Sequence, residues 1–306
     1  MHQNSIYDIV MLGNCTKDTI ISTAGTREQH GGGVTYGAYV AALMGLKTAV
    51  VIRLSRKDVQ VIDGFIQAGV TVFPTYTRYS TNMRLHYPSS NMDERVLSMT
   101  HTAGALRADQ VRDLESKIFL VNGSVRGEVD AKLIRELRNK NTLLAADVQG
   151  FVRVKAPDGT LVYDAWPQKQ EVLSYIDTLK TDAVEAQMLT GKADIKDAAR
   201  VIADWGPKEI VLTRRDGVLV LAGGEFYEAP FCPRKLVGRS GRGDTCIAAY
   251  LAKRLTASPQ EATVWAAAVT SLKLEAEGPI KVRMDDVEEF IGRVYGESGL
   301  APLSHA

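Results

Sequence analysis

Cysteine is scarce in this chain: Cys15, Cys232 and Cys246 are the three among 306 residues, too few and too scattered for a disulfide framework. An excess of one charge is also lacking, since 37 Lys and Arg stand against 36 Asp and Glu. With no basic block, nucleic-acid binding by bulk electrostatics has little support. The apolar runs are interrupted by glycine or charge, which argues against a membrane span. The opening Met1-His2-Gln3-Asn4-Ser5 has no charged segment followed by an apolar one, so the chain is expected in the cytoplasm. The five histidines (His2, His30, His86, His101, His305) form no i, i+4 pair and have no cysteine at metal spacing, against a structural zinc site. Two phosphate motifs are missing as well. Gly191-Lys192 is followed by Ala193, which breaks the phosphate-loop pattern, and Gly13-Asn14-Cys15-Thr16 after the first apolar run carries no dinucleotide fingerprint.

What is present is ordinary globular composition, 45% hydrophobic and 24% charged, in a length that allows one or two domains. Short apolar runs at Tyr7–Leu12, Thr48–Ile52, Ile118–Val121, Leu143–Ala146 and Ile210–Thr213 read as strands buried on both faces. Between them, helical periodicity at about 34–45, 55–67, 107–116, 128–140, 182–190 and 194–205 gives a β-α-β-α order. That order predicts a mostly parallel, doubly wound sheet covered by helices on both sides. Two partly polar, alternating stretches, about 18–30 and 76–100, predict a small β-lid beside it. From Gly243 to about Val294 the chain reads as chiefly helical. No repeat or interdomain linker is visible, so residues 1–306 are read as one domain.

The most informative segment is Gly238-Arg239-Ser240-Gly241-Arg242-Gly243-Asp244-Thr245, in which glycines run directly into a helix. Glycine lets backbone amides turn toward a ligand, and a helix N-terminus adds partial positive charge, a combination that holds a phosphate. Asp244 beside such a phosphate is chemically sensible if it takes a proton from an attacking hydroxyl while the amides of 241–243 stabilise the transferring group. The plain alternative is that Asp244 caps the helix, although Ile247 stands where a capping box would place Glu or Gln. Locally the two readings are evenly matched. A second cluster, Gly31-Gly32-Gly33, precedes a helix of small residues and suits either close approach to a substrate or a tightly packed loop. Cys246 falls in an apolar helical pattern and reads as core.

Together these features resemble the ribokinase-like (PfkB) family of small-molecule kinases along nearly the whole chain. Gly31-Gly32 is similar to the family's N-terminal glycine pair, Asp182-Ala183-Val184-Glu185 to its N-x-x-E motif, and Gly241-Arg242-Gly243-Asp244 to its G-A-G-D anion hole and base. The resemblance implies a three-layer α/β/α sandwich with a β-lid, and the use of ATP and Mg2+. It implies Asp244, Gly241, Arg242 and Gly243 as catalytic, Glu185 as holding Mg2+ through water, and Thr213, Arg214, Asp216 and Gly217, with Gly241 and Gly243, at the nucleotide. Tyr36 stands where many members carry a sugar-contacting Asn, Asp182 replaces the motif Asn, Arg242 replaces a small residue, and Gly238-Arg239 replaces the usual Asp-Thr. Within the family the pattern is most similar to prokaryotic myo-inositol kinases, which makes myo-inositol the leading acceptor.

An uncharged cyclitol needs carboxylates and amides for its hydroxyls and an apolar or aromatic wall. Asn14, Asp18, Gly32, Gly33, Asp147, Gln149 and Asp244 fall at strand ends or loops, where open α/β sheets bind ligands. They are the expected substrate contacts, with Arg84, Tyr87 and Arg153 as rim or lid candidates. Other acceptors for the same chemistry are a sugar, a nucleoside or a sugar acid. A binding module without turnover is the reading of another class, and it has no use for Asp244. The exposed lid strands could also pair two chains into a homodimer.

Overall fold

The structure is a computed structural model that describes residues 6–23, 25–89 and 95–296. The first strand, β1 (Tyr7–Leu12), shows why the main sheet is buried on both faces. Ile9 and Met11 enter one apolar core while Val10 and Leu12 enter another on the opposite side, as strand alternation requires. The chain then makes β2 (Thr16–Ser22), β3 (Gly25–Gly31), α1 (Gly33–Leu43), β4 (Thr48–Ser55), α2 (Gln60–Gln67), β5 (Thr71–Thr77), β6 (Thr81–His86) and β7 (Val96–His101). There follow β8 (Ser116–Val121), α3 (Ala131–Arg138), β9 (Leu143–Asp147), a short α4 (Gln149–Val152), the ribbon β10 (Arg153–Lys155) and β11 (Leu161–Tyr163), and α5 (Lys169–Leu173). The last third holds β12 (Thr178–Asp182), α6 (Ala183–Thr190), α7 (Ile195–Ala203), β13 (Glu209–Thr213), β14 (Gly217–Ala222), β15 (Glu225–Pro230), α8 (Arg242–Arg254), α9 (Pro259–Leu274) and α10 (Met284–Val294).

Among the described residues the main sheet runs β15-β14-β13-β12-β9-β8-β1-β4-β5. The strands from β13 to β5 are parallel, and β14 and β15 close the other side as an antiparallel hairpin. Parallel strands need crossovers, and the helices supplying them form the outer layers. Side chains of α1, α2, α8, α9 and α10 pack on one face, those of α3, α5, α6 and α7 on the other. This is the expected α/β/α sandwich. α9 is a limiting case: Ala266, Ala267 and Ala268 are all fully buried, so the helix is covered all round and its small side chains let its neighbours approach closely. Its start is set by Ser258, whose side chain accepts from the Glu261 amide, with Pro259 in the first turn.

The lid is a separate sheet in the order β3-β2-β6-β7, and Ile20, Met83, Leu85, Tyr87 and Met99 pack beneath it with Val125. The limits read from sequence are corrected at one end, because Tyr76 and Thr77 finish β5 at the edge of the main sheet. Pro74 is tolerated there because an edge strand has one side without ladder bonds. The helix expected at 107–116 shrinks to a single 3-10 turn, Ala108–Gln110. Leu106, Val111 and Leu114 are buried without any helix uniting them. The helix expected at 55–67 is interrupted, a 3-10 turn at Arg56–Asp58 preceding α2. Among the described residues no helix is long and apolar enough to cross a membrane.

Candidate active site

The C-terminal ends of the parallel strands lie along one edge of the main sheet, and there two helix N-termini face each other. At the start of α8, Gly241 has φ 79° and ψ 10°, a left-handed conformation, and a Cβ there would come within 2.2 Å of the Tyr36 ring. Only glycine satisfies both constraints. Gly241 is also the N-cap of α8, with Asp244 inside the first turn. The capping role considered for Asp244 therefore falls away, and its carboxylate is left available to the cleft. At the start of α1, a Cβ on Gly33 would lie 2.4 Å from Asp244 Oδ1 and 2.2 Å from Asn122 Oδ1. The missing side chain thus lets the backbone of α1 close onto the carboxylate. Gly32, with φ 90°, caps α1.

Burial raises Asp244 above the ordinary carboxylate range and Asp147 adds to the rise, while Lys180 and Asn122 oppose it. Lys180, from the interior strand β12, is buried with its ammonium 3.1 Å from Asp147 Oδ2 and 3.8 Å from Glu185 Oε2. Burial works against that charge, yet Asp147, Glu185, Asp182 and Asp244 together hold the lysine above its usual range. A Cβ on Gly243 would be 2.8 Å from the same ammonium, so the lysine lies directly against the glycine turn. This is a fixed cation beneath a set of backbone amides, the arrangement that stabilises charge on a transferring phosphoryl group.

Two connected spaces meet at Asp244. The smaller, about 100 Å3, includes Asp18, Gly32, Gly33, Tyr36, Met83, Leu85 and Leu97 in its lining. The larger, about 410 Å3, bears Arg95, Arg153, Lys180, Arg239 and Arg242. Arg95, Arg153, Gln149, Ser240, Gly241 and Asp244 border both. A hollow of about 780 Å3 at the opposite end of the strands, near Lys117, Asn141 and Asp177, contains none of the candidate site residues. In the smaller space Asp18 is buried, its Oδ1 lacks a hydrogen-bond partner, and burial pushes its carboxyl up to about 6. An unpaired buried oxygen at a pocket wall is a ready acceptor for a substrate hydroxyl.

The structure gathers Asp18, Gly32, Gly33, Gln149, Gly241, Gly243, Arg242, Asp244 and Thr213 around these spaces. Asn14 does not join them: its amide donates to Gly104 O at 2.9 Å and its Oδ1 accepts from the Arg53 amide at 3.2 Å. Asp147 acts behind the pocket, paired to Lys180 and accepting from the Gln149 amide at 2.9 Å. Arg214 is taken up by Glu228 at 3.0 Å and Asp216 at 3.1 Å. Gly217 opens β14, where a Cβ would meet Ala229 O at 2.7 Å. Neither Arg214, Asp216 nor Gly217 borders the cleft, and Arg84 likewise lines neither space. Tyr87 lines the larger space, and Arg153 lines both.

Glu185 and Asp182 form a reciprocal capping box at the start of α6, each backbone amide donating to the other's carboxylate at 2.8 Å. Burial pushes Glu185 up to about 7. Asp182 lines the larger space, whereas Glu185 is buried behind it against Lys180. Lys180 was missed in the sequence because it interrupts an apolar strand. That interruption, a charge between Leu179 and Thr181, was the available signal.

The fold and this site define a phosphotransferase with an alcohol acceptor. Residues 1–285 match the pfkB family of carbohydrate kinases, and the chain belongs to that family. Among solved structures it is similar to a pyrophosphate-dependent kinase of the ribokinase family complexed with a pyrophosphate analog and myo-inositol. The identity is 36%, covering 92% of this chain and 99% of that one, with a TM-score of 0.85. A pyrophosphate-dependent myo-inositol-1 kinase, converted into a myo-inositol-3 kinase by replacing an asparagine and a serine with leucines, is 35% identical with a TM-score of 0.84. It covers 94% of this chain and 99% of its own. A cytidine kinase from Thermococcus kodakarensis is 27% identical over 271 residues, 84% of this chain and 92% of its own length.

Proposed function

We propose that this chain transfers a phosphoryl group from inorganic pyrophosphate to a ring hydroxyl of myo-inositol. The observation that carries the reading is the larger cleft: five cationic side chains stand against the carboxylates Asp182 and Asp244, and apart from the rings of Tyr87 and Tyr163 its lining is polar or glycine. Such a density of cations suits a compact chain of phosphates. Arg242 strengthens the reading, because it fills a position where the family resemblance leads one to expect a small residue. The two inositol-linked relatives, both described as pyrophosphate-dependent, support the same donor, so the reading departs from the ATP expected on sequence.

In the proposed reaction the acceptor hydroxyl gives its proton to Asp244 as its oxygen forms a bond to phosphorus. The bond from phosphorus to the bridging oxygen breaks, and phosphate leaves along the cation-lined cleft. The amides of 241–243 and Lys180 meet the charge on the transferring oxygens. Asp182, with Glu185 behind it, would hold Mg2+ through water, and the ion would neutralise donor charge. Asp18 and Gln149 hold acceptor hydroxyls while Met83, Leu85 and Leu97 exclude water, which would otherwise compete as acceptor.

The lid also bears on which hydroxyl reacts. Leu85 and Leu97 lie opposite each other across β6 and β7, and both wall the acceptor space. In the relative, introducing two leucines moved the reaction from the 1- to the 3-hydroxyl, which supports the 3-hydroxyl here. The relation to a cytidine kinase supplies a second reading, a nucleoside acceptor, against which the small acceptor space weighs. The test is product formation from pyrophosphate or ATP with myo-inositol, other cyclitols, sugars and cytidine. The expected result is inositol phosphate from pyrophosphate, with ATP the poorer donor. Turnover with ATP alone would return the donor to a nucleotide, and turnover on cytidine alone would replace the acceptor.

A further inference from the structure

Lys273, near the end of α9, is almost wholly buried and touches neither space of the site directly. Its ammonium donates to Gly238 O at 2.8 Å and also to Ser240 O, and it stands 5.2 Å from the centroid of the Tyr36 ring. The same loop is fastened to the helix end by its backbone, since the amides of Val237 and Gly238 donate to Leu274 O at 2.9 and 3.1 Å. A Cβ on Gly238 would collide with Ala276 O at 2.3 Å, so the loop lies flat against the chain that follows α9.

A trans peptide carries its C=O and N–H on opposite sides. When the carbonyls of 238 and 240 turn inward to one ammonium, the amides of Arg239 and Gly241 are turned the other way. Gly241 and Arg239 border the phosphate cleft. Two carbonyl oxygens converging on a dry interior point repel each other unless a cation lies between them, and here the chain carries that cation itself. Burial works against the ammonium, and the carboxylates of Glu277 and Asp244 partly offset it, with the Tyr36 ring on its flank.

We propose that Lys273 is a positioning residue for phosphoryl transfer: its ammonium serves as a built-in monovalent cation that orients the 238–241 turn toward the donor, making a dissociable cation unnecessary there. The inference rests on the 241–243 turn and Asp244 as the phosphoryl site, and it is independent of which donor or acceptor is used.

The test compares wild type, Lys273→Met and Asp244→Asn with whichever donor and acceptor the wild type turns over, in buffer whose only monovalent cation is N-methylglucamine, and then with ammonium or potassium added. Wild type should be fully active without either ion. Lys273→Met should lose about 100-fold in kcat, the scale of a misplaced oxyanion donor, with little change in acceptor KM and at least partial recovery in ammonium or potassium. Full activity of the folded Met variant, a loss that neither ion relieves, or a wild type that itself requires added potassium would each overturn the proposal. The last arm needs no variant to fold. Retained turnover in Asp244→Asn would remove the underlying site and this inference together, whereas an inactive Asp244→Asn beside an unaffected Lys273→Met would remove only the inference.

Discussion

Single atoms decide the chemistry here, and Gly33 is the sharpest case. A methyl group at that position would overlap both Asn122 and Asp244, so Gly33→Ala should fold, because α1 is held by its buried face, yet lose at least about tenfold in turnover by displacing a reacting group. Circular dichroism beside a kinetic assay checks this. Asp244→Asn should lose about 100-fold or more, the usual contribution of a general base, with melting temperature unimpaired. The pH profile follows from two groups. Asp244 must be ionised to accept a proton and is raised by burial and Asp147, so kcat falls as pH drops through that raised value. Burial lowers Lys273 from 10.5 to about 8, so the ammonium, and with it the turn, is lost as pH rises above 8. Between 8 and 10.5 the unfolded chain binds a proton that the folded chain lacks, so this group makes folding stability rise with pH. An alkaline loss of turnover without a drop in melting temperature is therefore the expected signature, and parallel losses of both would contradict it. Asp244 could be picked out in the sequence because glycines lead into it, and Asp18 because it closely follows the first apolar run. The roles of Lys180 and Lys273 were not legible, because their value lies in being surrounded by carboxylates and carbonyls from segments distant in the chain.

At the scale of elements, motif and geometry coincide in α6. Asp182-Ala183-Val184-Glu185 is both the kinase-like motif and a capping box, so its two acidic ends do structural work even without a donor bound. Asp182→Asn should keep the cap, since Asn serves as well there, while Asp182→Ala should cost about 1 kcal/mol of stability. Denaturant titration separates the two. In the lid, pairing of Leu85 with Leu97 turns two residues twelve apart into one wall. Leu85→Asn combined with Leu97→Ser should shift the product from the 3- toward the 1-phosphate of myo-inositol. The two products are mirror images, so chiral chromatography is needed, and an unchanged product would clear the leucines of any part in regiochemistry. Elements were legible where periodicity was clean, as in β1 and α7. They were not legible in β12, where Lys180 interrupts the apolar run, or around Leu106 to Leu114, where buried residues follow an irregular path instead of one helix face.

For the molecule as a whole, the outer edge of the lid is β3, bearing Arg27, Glu28 and Gln29 on a largely exposed strand. An edge of this kind is where two copies would pair, and light scattering should show a dimer that Arg27→Pro converts to monomer; a monomeric wild type would dismiss the pairing. The amino-acid sequence by itself determined the layer architecture, because alternating apolar runs and helical stripes have few ways to bury their surface, and it marked the glycine turn, because only glycine tolerates that backbone. Tertiary structure alone decided which polar groups became chemistry. It assigned Asn14 and Arg214 to partners in the scaffold, lined a cleft with five cations drawn from four segments, and brought Lys273 under a turn more than thirty residues earlier. Burial, pairing and charge neutralisation are properties of neighbours in space, and a linear order of residues does not contain them until the chain has folded.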